Sequence, residues 1–143
     1  RAPPRGRCAA PGHFPTAVEE SLRRGTPLLA FPRLATRDAE IGGRTIPAGA
    51  GILLLLASGN RDETVFPDGD TLDIDRHNAR DHLSFGHGAH FCLGAPLARL
   101  EMRIILEELT RRLPHIRLAS DGPPDIFRTF TFRGLKHLTV EWE

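Results

Sequence analysis

The chain of 143 residues is 40% hydrophobic and 26% charged, with 19 basic and 18 acidic side chains, a composition that suits one soluble globular domain. A net charge of +1 gives no electrostatic ground for a nucleic-acid or anionic-membrane partner, and the longest apolar run, Ile52 to Ala57, is far too short to cross a bilayer. With no readable secretory signal and only two cysteines, Cys8 and Cys92, the expectation is a cytoplasmic protein with free thiols rather than a disulfide scaffold.

Residues 1–13, rich in Pro, Arg and Gly and without apolar periodicity, read as a disordered leader. The series Thr16-Ala-Val-Glu19 has the form of a capping box, so a short helix is expected over 16–24, ended by Gly25-Thr26-Pro27. From Leu28 to Ala57, extended stretches alternate with turn residues, notably Ile41-Gly-Gly-Arg44 and Pro47-Ala-Gly49, which predicts antiparallel hairpins with Ile52 to Leu56 as the most buried strand. Residues 58–92 show almost no periodicity, and a loop this long inside a domain is usually functional or disordered; its Asn60-Arg-Asp62, Asp73-Ile-Asp-Arg76 and Phe85–Gly94 segments favour function. A long helix follows over 95–113, with Pro96 in its first turn, an apolar stripe of Leu97, Leu100, Ile104, Ile105 and Leu109, and Pro114 as its stop. The tail reads as two or three short strands, with Phe127, Phe130 and Phe132 expected mostly in the core.

The segment Phe85-Gly-His-Gly-Ala-His-Phe-Cys92-Leu-Gly94 concentrates chemistry at the start of the long helix. Gly86, Gly88 and Gly94 allow sharp turns and a close backbone approach to a flat ligand. Cys92 lies where the positive end of the helix dipole favours a thiolate. Three ordinary readings compete: a buried free cysteine, a nucleophile with a His base, and a zinc module built from His82, His87, His90 and Cys92. The last suffers because structural zinc draws ligand pairs from separated segments. None of the three needs so many glycines, whereas a haem thiolate does.

This ten-residue run resembles the cysteine-loop signature of the cytochrome P450 family. Glu20-Ser-Leu-Arg23 is similar to the family's E-x-x-R pair, and Arg76 falls where the family supplies a second arginine to the same carboxylate, so the resemblance implies a buried triad of Glu20, Arg23 and Arg76 that supports the loop. It further implies Cys92 as the proximal ligand of heme b (iron protoporphyrin IX), with Arg33 and His90 reaching its propionates, and Phe85, Gly86 and Gly94 packed at the macrocycle. The implied fold is mainly α with a small β region, the carboxy-terminal haem-binding portion of the cytochrome P450 fold. The implied activity is oxygen-dependent hydroxylation of a small apolar organic substrate, with electrons from NAD(P)H delivered by ferredoxin and ferredoxin reductase or a similar donor. Substrate is expected to meet Leu28 to Phe31 and the turn near Thr129 and Phe130.

The resemblance covers residues 14–143 and corresponds to the last third of a typical family member. The long central helix with its acid and alcohol pair has no counterpart, so no catalytic set for oxygen activation is expected here beyond the haem ligand. The chain is expected to be a truncated monooxygenase, with a catalytically silent fragment as the alternative. The apolar faces of both helices are then expected to lie open.

Overall fold

The computed structural model describes residues 12–120, 122–127 and 129–142. The leader over 1–13 lies, but for its last two positions, outside the described residues.

Helix α1 spans Phe14–Gly25, longer at both ends than the sequence indicates. The capping box does not form: the N-cap position is His13 without a side-chain cap, Pro15 occupies the first turn, and Thr16 Oγ1 donates to the His13 carbonyl at 3.0 Å. Pro15 starts the helix instead, its fixed φ fitting the first turn where no amide partner is needed. The helix closes at Thr26, a non-glycine residue at φ 40°, whose amide donates to the Leu22 carbonyl and whose hydroxyl donates to the Arg23 carbonyl at 2.6 Å.

Strand β1 (Phe31–Leu34) pairs antiparallel with β4 (Gly51–Leu54), bringing Phe31 opposite Leu54 and Arg33 opposite Ile52. Between them β2 (Ala39–Ile41) and β3 (Arg44–Ile46) form a hairpin across Gly42 and Gly43, both at positive φ, as a tight two-residue turn of matching twist requires. The run from Ile52 to Leu56 is not the buried strand expected of it. Leu53, Leu54 and Leu55 are exposed and only Leu56, which opens the one-turn helix α2 (Leu56–Gly59), is buried. Leu54 and Leu55 face a cavity rather than a core.

Helix α3 spans Ala95–Arg112, packs against α1, and stops two residues before Pro114. The tail carries the short pair β5 (Arg117–Leu118) and β6 (Val140–Glu141), with isolated bridges from Phe132 to Leu28 and from Leu135 to Ile126. Phe127, Phe130 and Phe132 are all exposed, contrary to expectation, because the tail runs along the 27–29 segment by backbone bonds and brings no second apolar layer over their rings.

The core lies between α1 and the loop over 60–84. Its apolar members include Phe14, Val18, Leu22, Phe66 and Ile74, yet its largest fully buried side chains also include Arg23, Glu20 and Asn60. The apolar face of α1 is therefore covered, whereas on α3 Leu97, Leu100, Ile104 and Ile105 lie open as expected.

Gly69 stands where two loop strands touch. A Cβ there would meet the Arg61 carbonyl oxygen at 2.6 Å and its Cα at 2.9 Å. Gly69→Ala is expected to cost about 1–3 kcal/mol by overpacking against backbone that cannot yield, while Gly51→Ala, built into open space, stays close to wild type. Urea midpoints decide this, and equal midpoints for the two variants would contradict it.

Candidate functional site

Two buried polar assemblies organise the long loop. In the first, Arg23 uses every N–H of its guanidinium. Nε and Nη2 grip the two oxygens of Glu20 at 2.8 and 2.7 Å, Nη1 donates to the Asn60 and Gly69 carbonyls at 2.6 and 2.8 Å, and Nη2 reaches the Thr71 carbonyl at 3.0 Å. Glu20 also accepts the Asp73 amide at 2.9 Å, and Arg76 Nε approaches the same carboxylate at 3.4 Å while its Nη1 donates to the Pro67 carbonyl at 2.7 Å. Glu20, Arg23 and Arg76 are thus gathered at one point. The bidentate bond belongs to Arg23 alone, and Arg76 contributes chiefly by closing the turn over 67–71. Glu19, although one helical turn from Arg23, points elsewhere, to Arg99 on α3 and His82.

In the second assembly Asn60 is fully enclosed. Its Nδ2 donates to Thr26 Oγ1 at 3.0 Å and Ser84 Oγ at 2.9 Å, its Oδ1 accepts the Leu83 amide at 2.6 Å, and Ser84 Oγ donates to the Leu22 carbonyl at 2.7 Å. The end of α1 is thereby bolted to the segment that enters the cysteine loop. This explains how Thr26 is held in a left-handed conformation unusual for its residue type.

The cysteine loop closes on itself. The Cys92 amide donates to the Phe85 carbonyl at 2.9 Å, Gly86 and Gly88 sit at φ 75° and 74°, and a 3-10 turn spans Gly88–His90. Cys92 is a free, exposed thiol whose carbonyl accepts the Ala95 amide at 3.2 Å, so the loop feeds directly into α3, with Gly94 in its N-cap position. The rings of Phe85 and Phe91 meet edge to face, 6.2 Å between centroids.

Cys92 lines a cavity of about 960 Å³. Leu28, Phe31 and Leu54–Leu56 supply apolar lining from the strand region, Leu83–His87 and His90 line it from the loop, and Arg33 completes the lining. Arg33 is exposed, its guanidinium 4.4 Å from the Phe31 ring centroid. Thr129 and Phe130 are not among the residues that line it; Thr129 instead closes a turn with Phe132. The volume lies within the range of cofactor sites. A soft sulfur donor on an apolar wall, with a guanidinium and an imidazole available for carboxylates, is a set that fits an iron porphyrin with propionate arms. The zinc arrangement does not form: among the described residues no group of three His, Cys, Asp or Glu side chains is placed to hold a metal ion, and His82 is buried against Glu19 on α1.

Acid should loosen this structure in two stages. Burial pushes the His82 imidazole below its ordinary 6.5, against the opposing pull of Glu19. At Glu20 burial acts to raise the carboxyl, but the Arg23 bonds, the Asp73 amide and the charges of Arg23 and Arg76 outweigh it and hold the group below the ordinary 4.5. Both folded values are depressed, so the unfolded chain takes up these protons first, and the stability they carry above the ordinary values is lost as pH falls through the folded ones. Urea midpoints are expected to drop below pH 6.5 for His82 and again below pH 4.5 for Glu20, and His82→Gln should remove the first stage. A midpoint that holds steady or rises on acidification refutes the assignment.

The Cytochrome P450 family profile matches residues 14–139. The chain belongs to the cytochrome P450 family. It is 48% identical over 136 residues to Cytochrome P450-SU2 of Streptomyces griseolus, covering 94% of this chain and 34% of that protein. Over 139 residues it is 51% identical to Mycinamicin IV hydroxylase/epoxidase of Micromonospora griseorubida, covering 92% of this chain and 34% of that protein. The P450 heme domain of Tepidiphilus thermophilus superposes with a TM-score of 0.90 at 48% identity, covering 96% of this chain and 33% of that one. The chain therefore spans about a third of the length of the curated relatives it matches. P450 proteins are haem-iron monooxygenases, and the fold described here is part of theirs. No described helix is long and apolar enough to cross a membrane.

Several organising residues had no distinct mark in the sequence. Thr26 reads only as part of a helix stop, Ser84 carries no motif, Glu19 reads as half of a cap, and Asn60 stands out only within the Asn60-Arg-Asp62 segment. Only the crowding of polar side chains in a segment with no apolar periodicity pointed to this loop.

Proposed function

We propose that this chain forms the proximal haem cradle of a bacterial-type P450 monooxygenase, in which Cys92 would hold the iron of heme b through its Sγ. The observation that carries the proposal is the free Cys92 thiol lining an apolar cavity of about 960 Å³ that also presents Arg33 and His90.

Each residue has a task in that cradle. Cys92 Sγ would hold the iron. Gly86 and Gly88 let the backbone turn without a side chain intruding on the macrocycle. Arg33 and His90 would pair with the propionate carboxylates, Phe85 would pack beside the macrocycle, and the Glu20–Arg23–Arg76 assembly fixes the long loop that leads to Cys92. Bound there, the iron porphyrin supplies the dioxygen activation by which the family hydroxylates its substrates. Leu28 and Phe31 offer an apolar surface to a small organic substrate. Electrons come from NAD(P)H through ferredoxin and its reductase or a similar donor, in the cytoplasm. These activities belong to a protein of the relatives' full length, of which this chain matches about a third.

The test supplies haem to the chain, reduces it and adds carbon monoxide. The expected result is retained haem with the strongly red-shifted Soret band of a thiolate-ligated iron. Loss of haem on gel filtration, or the band of an imidazole-ligated haem, overturns the proposal for this chain. Haem binding without turnover in the presence of any electron donor favours a silent cradle.

A further inference from the structure

We infer that Glu19 is a positioning residue for the cysteine loop, acting on Phe85 through Arg99 and His82. Its neighbour Glu20 belongs to the triad. Glu19 projects from another side of α1, and its buried carboxylate meets Arg99 of α3 together with Arg80 and His82 of the long loop. Arg99 of α3 grips it with Nε at 2.7 Å and Nη2 at 3.1 Å, His82 Nε2 lies 3.2 Å away, and Arg80 Nε stands at 3.6 Å from the exposed side. The carboxylate is buried and Arg99 supplies its two bonds, so it holds Arg99 in place: left unpaired, it would carry a desolvation penalty.

Both inner partners press on the same ring. The Arg99 guanidinium lies 4.7 Å from the Phe85 centroid, and the His82 ring is 5.6 Å from it. Phe85 in turn is the stem of the loop: its carbonyl takes the Cys92 amide at 2.9 Å and its ring meets Phe91. A line of direct contacts therefore runs from Glu19 to Arg99 and His82, to Phe85, to Cys92. The proposal rests on the monooxygenase reading only in taking Cys92 as the group whose placement matters.

A mere clamp between α1 and α3 would make the same ion pairs, so the test must separate local placement from general stability. Amide exchange by mass spectrometry on the haem-free full chain does this, because the Cys92 amide bond to Phe85 reports the loop, and strands β1 and β4 report the rest of the cavity. Arg99→Lys keeps the charge opposite Glu19 and loses the second bond and the flat stack on Phe85. The segment 85–92 is expected to exchange about tenfold faster in Arg99→Lys and in Glu19→Gln, with β1 and β4 unchanged and with Glu19→Asp partly restoring protection. Unchanged exchange at 85–92, or equal acceleration in β1 and β4, overturns the inference. If Glu19→Gln fails to fold, Arg99→Lys decides alone. Since no haem is present, a wild-type chain that never binds haem would refute the functional proposal and leave this result standing.

Discussion

Cys92→Ala is expected to abolish the red-shifted carbon monoxide band entirely and to weaken haem retention by more than about 100-fold, since even outer-shell partners of a metal site commonly carry about 10–100-fold. The substitution removes one sulfur from an exposed position and leaves the loop's backbone bonds intact, because the Cys92 amide and carbonyl make them. Fold should therefore survive, and far-UV circular dichroism should match wild type. What remains is an apolar cavity with Arg33 and His90 in its lining, able to hold a porphyrin loosely through its propionates and its face. The residual complex, if any, should show the spectrum of an imidazole- or water-ligated iron, His87 and His90 being the nearest alternative donors that line the cavity. A variant that keeps the thiolate band would place the ligand elsewhere, and Cys8 would be the remaining candidate.

How far the sequence foretold this site depends on where the signal lay. The cysteine loop was legible because its glycines and cysteine have few other uses in that arrangement, and positive φ at Gly86 and Gly88 is what such spacing demands. The hairpin across Gly42-Gly43 was legible for the same reason. The burial of the strands was not, since Ile52 to Leu56 has the hydrophobicity of a core strand while Leu54 to Leu56 line a cavity and Leu53 lies exposed, a difference no periodicity records. The capping box failed because Thr16 and Glu19 satisfy its spacing equally well one turn inside the helix, where Pro15 already sets the start. Asn60 shows the limit most clearly: a buried hub with three side-chain bonds and an exposed turn asparagine are spelled alike. On α3 the apolar stripe was read correctly, but its exposure follows from what the rest of the chain leaves uncovered.

The largest loss of stability is expected from Glu20→Gln. The change is nearly isosteric, yet it leaves two buried guanidiniums, Arg23 and Arg76, without their counter-charge and turns an amide donor toward groups that can only donate. Breaking a buried pair in this way costs about 3–5 kcal/mol, a large share of the roughly 5–15 kcal/mol that holds a typical domain together. The effect should spread along the chain, because Arg23 also holds the carbonyls of Asn60, Gly69 and Thr71, and those residues carry the loop toward Cys92. Arg23→Lys should lose nearly as much, three ammonium donors being unable to serve the same five bonds. The contrast is Asp70→Asn, which breaks the Arg61–Asp70 pair at 3.0 Å; Asp70 is 86% exposed, water already screens it, and little change is expected. Urea denaturation of the three variants under identical conditions tests the ranking. A Glu20→Gln chain as stable as Asp70→Asn would show that the triad carries no such load, and that the loop is held instead by the Asn60 hub.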